Sequence, residues 1–252
     1  HGGKRPNFRF IKHGEKPFWR WVSSWAISCR KPSDLGFDDG RFVLPALSEN
    51  QHVIKSTRPL RGKLFVDEAV GLKEEREELR VTLQERCEKA AELCDQHEGQ
   101  SVVWCTLNPE GDLLEKIIKD GVQVSGKQSD DVKEELLMAF ARGEIKKLVT
   151  KGKIAQFGMN WQSCHHTVSF PSHSYETYYQ TIRRFWRFGQ LHEVTSDIVT
   201  TPALQRVLKN LKRKEEQTNK IFSEITKYMN DSIKVNAHTE YTKKEVTPSW
   251  LS

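Results

Sequence analysis

The 252-residue chain has no run of about 18 apolar residues, which excludes a membrane-spanning helix of ordinary length. Its first residues, His1-Gly2-Gly3-Lys4-Arg5-Pro6, lack the apolar stretch of a secretory signal, so a reducing compartment is expected. Cysteine is scarce and odd in number: Cys29, Cys87, Cys94, Cys105 and Cys164 show no CxxC spacing, which argues against a disulfide framework and against a zinc ribbon. The Gly-Lys pairs Gly3-Lys4, Gly62-Lys63, Gly126-Lys127 and Gly152-Lys153 are followed by Arg, Leu, Gln and Ile, never by Ser or Thr. No phosphate-cradling P-loop is therefore completed. Internal repeats and low-complexity tracts are absent as well. What remains is a basic chain, 40 Lys+Arg against 34 Asp+Glu, whose +6 charge fits a polyanionic partner without demonstrating one.

Patterning divides the chain into segments 1–62, 63–201 and 202–252. In the first, Trp21 and Trp25 stand four apart, the spacing of one helical face, with Trp19 off that face. Two readings are open: a helix packed by its aromatic side, or a stacking surface for nucleic acid. A turn-rich stretch, 31–40, and a weakly patterned connector between Pro45 and Pro59 read as a linker. Leu79, Leu83, Cys87, Ala90, Ala91 and Cys94 then mark one amphipathic helix over 74–94. Strands are expected at 102–107, 122–124, 147–150, 167–170 and 194–200, with helices at 108–119, after the Ser129 cap, and at 175–188. Strand–helix alternation of this kind builds a parallel α/β sheet covered on both faces, with its crevice beyond the strands' carboxyl ends. From Pro202 a long basic helical pattern carries Leu204, Val207, Leu208, Leu211, Ile221, Phe222, Ile225 and Tyr228.

The chemistry concentrates in Gln180-Thr181-Ile182-Arg183-Arg184-Phe185-Trp186-Arg187-Phe188-Gly189-Gln190. On a helix, Arg184 and Arg187 project from one face, and two guanidiniums converging on one point suit a triphosphate. The plainer reading is a solvated basic face. Upstream, a strand ends at Thr150-Lys151, and glycines at Gly152 and Gly158 space the loop that follows, as backbone approach to a phosphate requires. Cys164, His165, His166 and His173 are too crowded or too distant for a usual zinc arrangement, so no metal site is expected.

In that order and at those distances, 102–108, Val122-Gln123-Val124-Ser125-Gly126, 150–162 and 180–190 resemble motif IV, the next conserved block, motif V and motif VI of superfamily 2 helicases. The resemblance covers roughly 64–200 and is nearest to the phage-type DEAD/DEAH and Swi/Snf-like ATPases. It implies the second RecA-like lobe of a helicase or translocase, with an N-terminal linker and a C-terminal helical extension.

What the resemblance implies is specific. Arg184 and Arg187 would reach the phosphates of ATP with Mg2+ held mainly by a first lobe, Arg187 as the arginine finger. Gln180 would link the ATP site to the lobe interface, and Gly158 and Asn160 would couple nucleotide state to the strand. Asn108, Ser125, Gly126, Thr150 and Lys151 would contact nucleic acid, expected to be DNA. Met159 and Asn160 follow Gly158 where many relatives carry an acid. Leu64-Phe65-Val66-Asp67-Glu68-Ala69-Val70 imitates a Walker B strand, yet with no P-loop before it Asp67 and Glu68 read as the acidic start of a helix. The chain alone is then expected to be inactive on ATP. Its expected partners are nucleic acid and the first lobe, in the cytoplasm of a bacterium or phage-infected host and without a membrane. The rival reading is a non-catalytic module that keeps the fold and binds nucleic acid or protein.

Overall fold

The computed structural model describes residues 13–54, 72–155, 159–172 and 174–232. Gly158, His173, Asp67, Glu68 and the two chain ends lie outside them. The described residues fall in two compact units. The larger is Leu44–Glu216, and the smaller joins the segment ending at Val43 to the one beginning at Gln217.

Six strands form the sheet of the larger unit: β1 (Leu47–Val53), β2 (Ser101–Trp104), β3 (Gly121–Val124), β4 (Lys147–Thr150), β5 (His166–Ser169) and β6 (Val194–Thr200). Their order is β1-β6-β5-β2-β4-β3, and every pairing is parallel. The helices are α1 (Glu15–Ser23), α2 (Leu72–Val81), α3 (Leu83–Gln96), α4 (Asn108–Ile117), α5 (Asp130–Ala141), α6 (Gly152–Ala155), α7 (Tyr175–Ile182) and α8 (Gln205–Ser232). Side-chain alternation on the strands feeds two cores. Val103, Val149, Val168 and Val199 meet Cys87 and Leu93 of α3 and Leu114 of α4 on one face. Val102, Trp104, Val124 and Leu148 meet Phe140 of α5 with Trp161 and Phe185 on the other. Each such side chain contributes about 1.5–3 kcal/mol by leaving water. No helix among the described residues is long and apolar enough to cross a membrane.

Four local expectations need correction. The connector after Pro45 contains β1, whose polar sequence hides it because it sits at the sheet edge and pairs on one side only. The helix expected over 74–94 is two helices, broken at Thr82, whose hydroxyl donates to the Glu78 carbonyl at 2.7 Å. The helix expected over 175–188 stops at Ile182, where the chain tightens: the N–H groups of Arg184 and Phe185 bond to carbonyls three residues back, at Thr181 and Ile182. In the smaller unit Trp19 and Val22 are the buried pair of α1, packed with Tyr228 and Ile225, while Trp21 and Trp25 face solvent. All five cysteines are free and four are buried; burial pushes the thiols of Cys87, Cys94, Cys105 and Cys164 up to about 12.

A buried ion pair joins α3 to the loop after β2. Arg86 Nη1 lies 2.8 Å from Glu110 Oε1, with both side chains fully enclosed. Arg86 also donates to Thr82 Oγ1 and the Leu79 carbonyl and lies over the Phe170 ring. Glu110 Oε2 accepts from the backbone N–H groups of Thr106 and Leu107, fixing the first turn of α4.

At the opposite, amino-terminal edge of the sheet, Lys147 Nζ donates to the carbonyls of Cys94, His97 and Gly99 and to Ser101 Oγ. Ser101 Oγ lies 2.8 Å from His166 Nδ1, and His166 Nε2 lies 2.9 Å from Asp197. Burial pushes the Asp197 carboxyl up, but bonds from His166, His52 and Asn50 outweigh it and hold the group at about 2. This Ser-His-Asp chain is buried, so it is structural. His97 meets His165 edge to face and lies tilted against His166, with ring centroids 4.9 and 4.6 Å away. Burial first, then the neighbouring His166 and His165, push His97 down to about 4, and burial and His192 push His165 down.

Two predictions follow from these polar contacts. Glu110→Ala leaves Arg86 charged and enclosed, and urea unfolding should show a loss of about 3–5 kcal/mol. His97 and His165 favour the neutral form in the fold, so the unfolded chain binds more protons below about 6.5. The stability they contribute is complete above that pH and is lost as pH falls toward 4. The thermal midpoint should drop over that window, and His97→Gln should flatten the drop; an unchanged slope would contradict the assignment.

Candidate functional site

Beyond the carboxyl ends of β2, β3 and β4 lies a recess of about 280 Å³, lined by Asn108, Ser125, Gly126, Lys151 and their neighbours. The structure thus brings together four of the five residues expected at the nucleic acid. Thr150 is the exception: it is fully buried and donates its hydroxyl to the Val124 carbonyl, so it braces the recess from below and offers no contact surface. Lys151 Nζ is held 2.6 Å from Asn108 Oδ1 and pairs with no carboxylate among the described residues. Lys127, by contrast, is paired with Asp112 at 3.1 Å; hydrogen bonds from Lys127 and then Gln123 hold the Asp112 carboxyl below its usual range. Gln128 shapes the Ser125-Gly126 turn by accepting from Ser125 N and donating to the Gln123 carbonyl. The recess therefore has one uncompensated cation and a set of small, open backbone positions.

The connection 151–165, which leads from β4 across β2 to β5, carries the second cluster. Trp161 N donates to the Arg184 carbonyl at 3.2 Å, and Arg184 Nη1 returns a bond to the Met159 carbonyl at 3.3 Å. Gln190 is buried, and its amide donates to the carbonyls of Gln162, Cys164 and Phe185 at 3.0, 3.1 and 3.3 Å. These bonds take up the carbonyls of Arg184 and Phe185; α7 has already ended, because the N–H groups of Arg184 and Phe185 reach back only three residues, to the Thr181 and Ile182 carbonyls. Gln162 Nε2 donates to the Phe188 carbonyl. Gly189 between them has a φ of +92°, and a Cβ there would meet Gln162 Nε2 at 2.8 Å. Below this knot Trp161 is fully enclosed, stacked on Trp104 and Phe185 at 6.0 Å each.

Arg184 and Arg187 consequently lie on turns rather than on a helical face. Arg184 is half-buried and Arg187 exposed. Burial, and then the charge of Arg187, push the Arg184 guanidinium below its usual value. Neither has an acidic partner among the described residues, so two like charges stand together without compensation. Arg183, not singled out from the sequence, is held between the Tyr179 and Trp186 rings at 5.0 and 4.6 Å. Gln180 is exposed on the last turn of α7, and Asn160 is exposed, 3.4 Å from Gln162 Oε1. Among the described residues no group of three His, Cys, Asp or Glu side chains is arranged to hold a metal. Sequence reasoning missed the work of Gly189, Gln190 and Gln162; their signal was the Gly-Gln pair closing the 180–190 stretch.

No protein-family model and no curated protein matches the sequence. Among solved structures, S. cerevisiae Dbp5 bound to Gle1 and IP6 is similar at 14% identity and a TM-score of 0.50, covering 72% of this chain and 46% of that one. The C-terminal domain of the DEAD-box protein Dbp5 is similar at 16% identity and 0.46, covering 59% and 91%. The C-terminal part of the Fun30 ATPase domain is similar at 15% identity and 0.44, covering 51% and 44%. The chain thus spans less than half the length of the Fun30 and Gle1-bound Dbp5 chains. The likeness is one of fold: an α/β, RecA-like lobe with a six-stranded parallel sheet and a C-terminal helix.

The knot predicts a mutational outcome. Gly189→Ala forces a left-handed residue against Gln162 and should lower the urea midpoint by the equivalent of about 1–3 kcal/mol with an unchanged denaturant slope. A variant as stable as the parent would show that the turn is not constrained.

Proposed function

We propose that this chain is the second lobe of a superfamily 2 nucleic-acid-dependent ATPase. It would supply an arginine finger to ATP bound on a first lobe, and part of the track for DNA. The observation that carries the reading is the uncompensated pair Arg184 and Arg187, which wants an anion that the described residues do not provide. A triphosphate fits because a guanidinium stays charged and forks onto phosphate oxygens. Arg187, the exposed member, is free to cross a cleft; Arg184, tied to the Met159 carbonyl, senses the 151–165 connection. Lys151, in the recess, stands at the carboxyl end of β4. Bound ATP would draw the lobes together and hydrolysis would release them. The magnesium ion, held by the first lobe, would neutralise phosphate charge; this chain's part is to place Arg187 on the transferred group.

The phage-type or Swi/Snf-like subgroup, the choice of DNA and the cytoplasmic setting belong to this same proposal and rest on the sequence motifs. In a polypeptide containing both lobes, Arg187→Ala should lower ATP turnover by about 10³-fold or more while DNA affinity stays within error of the parent. Equal losses in turnover and DNA binding would contradict the finger role.

A further inference from the structure

The smaller unit holds an arrangement that the lobe reading does not use. Its helix α1 already satisfies its burial with Trp19 and Val22, yet Trp21 and Trp25 stand 61% and 64% exposed, their rings 5.5 Å apart and edge to face. Trp21 also leans on Phe18, with 6.1 Å between ring centroids, but neither Trp21 nor Trp25 belongs to the buried cluster of Trp19, Val22 and Tyr228.

A recess of about 420 Å³ lies in the same unit, between the Arg30 to Asp34 turn and the 222–227 stretch of α8. Arg30 is laid flat on the Phe222 ring at 4.4 Å and donates to Asn219 Oδ1 at 2.9 Å. No carboxylate among the described residues neutralises it. Lys227 stands over the Tyr228 ring at 5.4 Å and has no carboxylate either. The acid in the recess, Asp34, is occupied by the backbone N–H groups of Arg30 and Lys31, and Lys31 is paired with Asp39. Two cations are thus pre-positioned by aromatic rings with their charge unspent, and the Ser223 hydroxyl lines the same recess.

We propose that the smaller unit binds single-stranded nucleic acid, with Trp21 and Trp25 stacking unpaired bases and Arg30 and Lys227 holding phosphates. Stacking needs open π-faces and tolerates any base, and a backbone needs cations at intervals; the unit offers both. A protein partner would be served by the tryptophans alone and gains nothing from two uncompensated cations beside hydroxyls. Duplex DNA offers its bases no route to a tryptophan face. The site rests on the nucleic-acid half of the reading above and is independent of its ATPase half.

The test is binding of a labelled oligothymidylate to the full chain, read by anisotropy and by tryptophan quenching over a salt series. Trp21→Ala with Trp25→Ala should weaken binding by about tenfold or more, and the paired Phe substitutions should restore most of it. Arg30→Gln with Lys227→Gln should reduce the slope of log affinity against log salt by about 1.4. Lys151→Ala, in the sheet recess, tests the lobe track separately. If the variants of the smaller unit bind like the parent while Lys151→Ala loses affinity, this site is refuted and the lobe track stands. If only they lose affinity, the site stands and the lobe track fails. A parent chain that binds no oligothymidylate, or binds duplex equally well, overturns the proposal.

Discussion

The larger unit is organised around the amide of Gln190. One buried side chain gathers three backbone carbonyls from two segments that are remote in sequence. Carbonyls in such a place have no water to turn to, and leaving even one unpaired costs more than a hydrogen bond ordinarily contributes. Around this amide α7 has already ended, Gly189 takes a left-handed turn, and Trp161 N donates to the Arg184 carbonyl. Arg184 is positioned by this knot and by its own bond to the Met159 carbonyl.

Both ends of the sheet are built with buried polar groups, but to different effect. At the amino-terminal edge most strong groups are consumed: Lys147 closes three carbonyls and Asp197 takes three side-chain bonds, while His97 Nε2 has no hydrogen-bond partner among the described residues. At the carboxyl edge the Arg86–Glu110 pair holds the loop after β2 from behind, and Lys151 and the arginines keep their charge toward solvent. A saturated edge stabilises, and an unsaturated one binds. The Ser-His-Asp chain makes the same point, since its chemistry is familiar from hydrolases but its burial removes it from any substrate.

The sheet was largely legible: the expected strands 147–150 and 194–200, the latter read from its alternation, coincide with β4 and β6 residue for residue. β1 was not legible: an edge strand that exposes Glu49, Asn50 and Gln51 carries no apolar signature. The recess was legible through motif order, with the exception of Thr150, whose hydroxyl a sequence pattern cannot tell from an exposed one. The turn conformation at 183–188 was hidden because Arg-Phe-Trp-Arg spacing suits a helix, and the tightening to three-residue hydrogen bonds leaves no mark on that spacing. The inward turn of Trp19 was missed for a related reason: three tryptophans compete for one face, and their partners Tyr228 and Ile225 lie some two hundred residues away.

The distribution of the thiols has a practical corollary. Four are enclosed and held as neutral SH groups, while Cys29 sits on the surface beside the Lys31 carbonyl. A maleimide dye added to the unaltered chain would attach at this single position. The smaller unit thus comes with its own handle for single-molecule distance measurements, with no engineering of the chain.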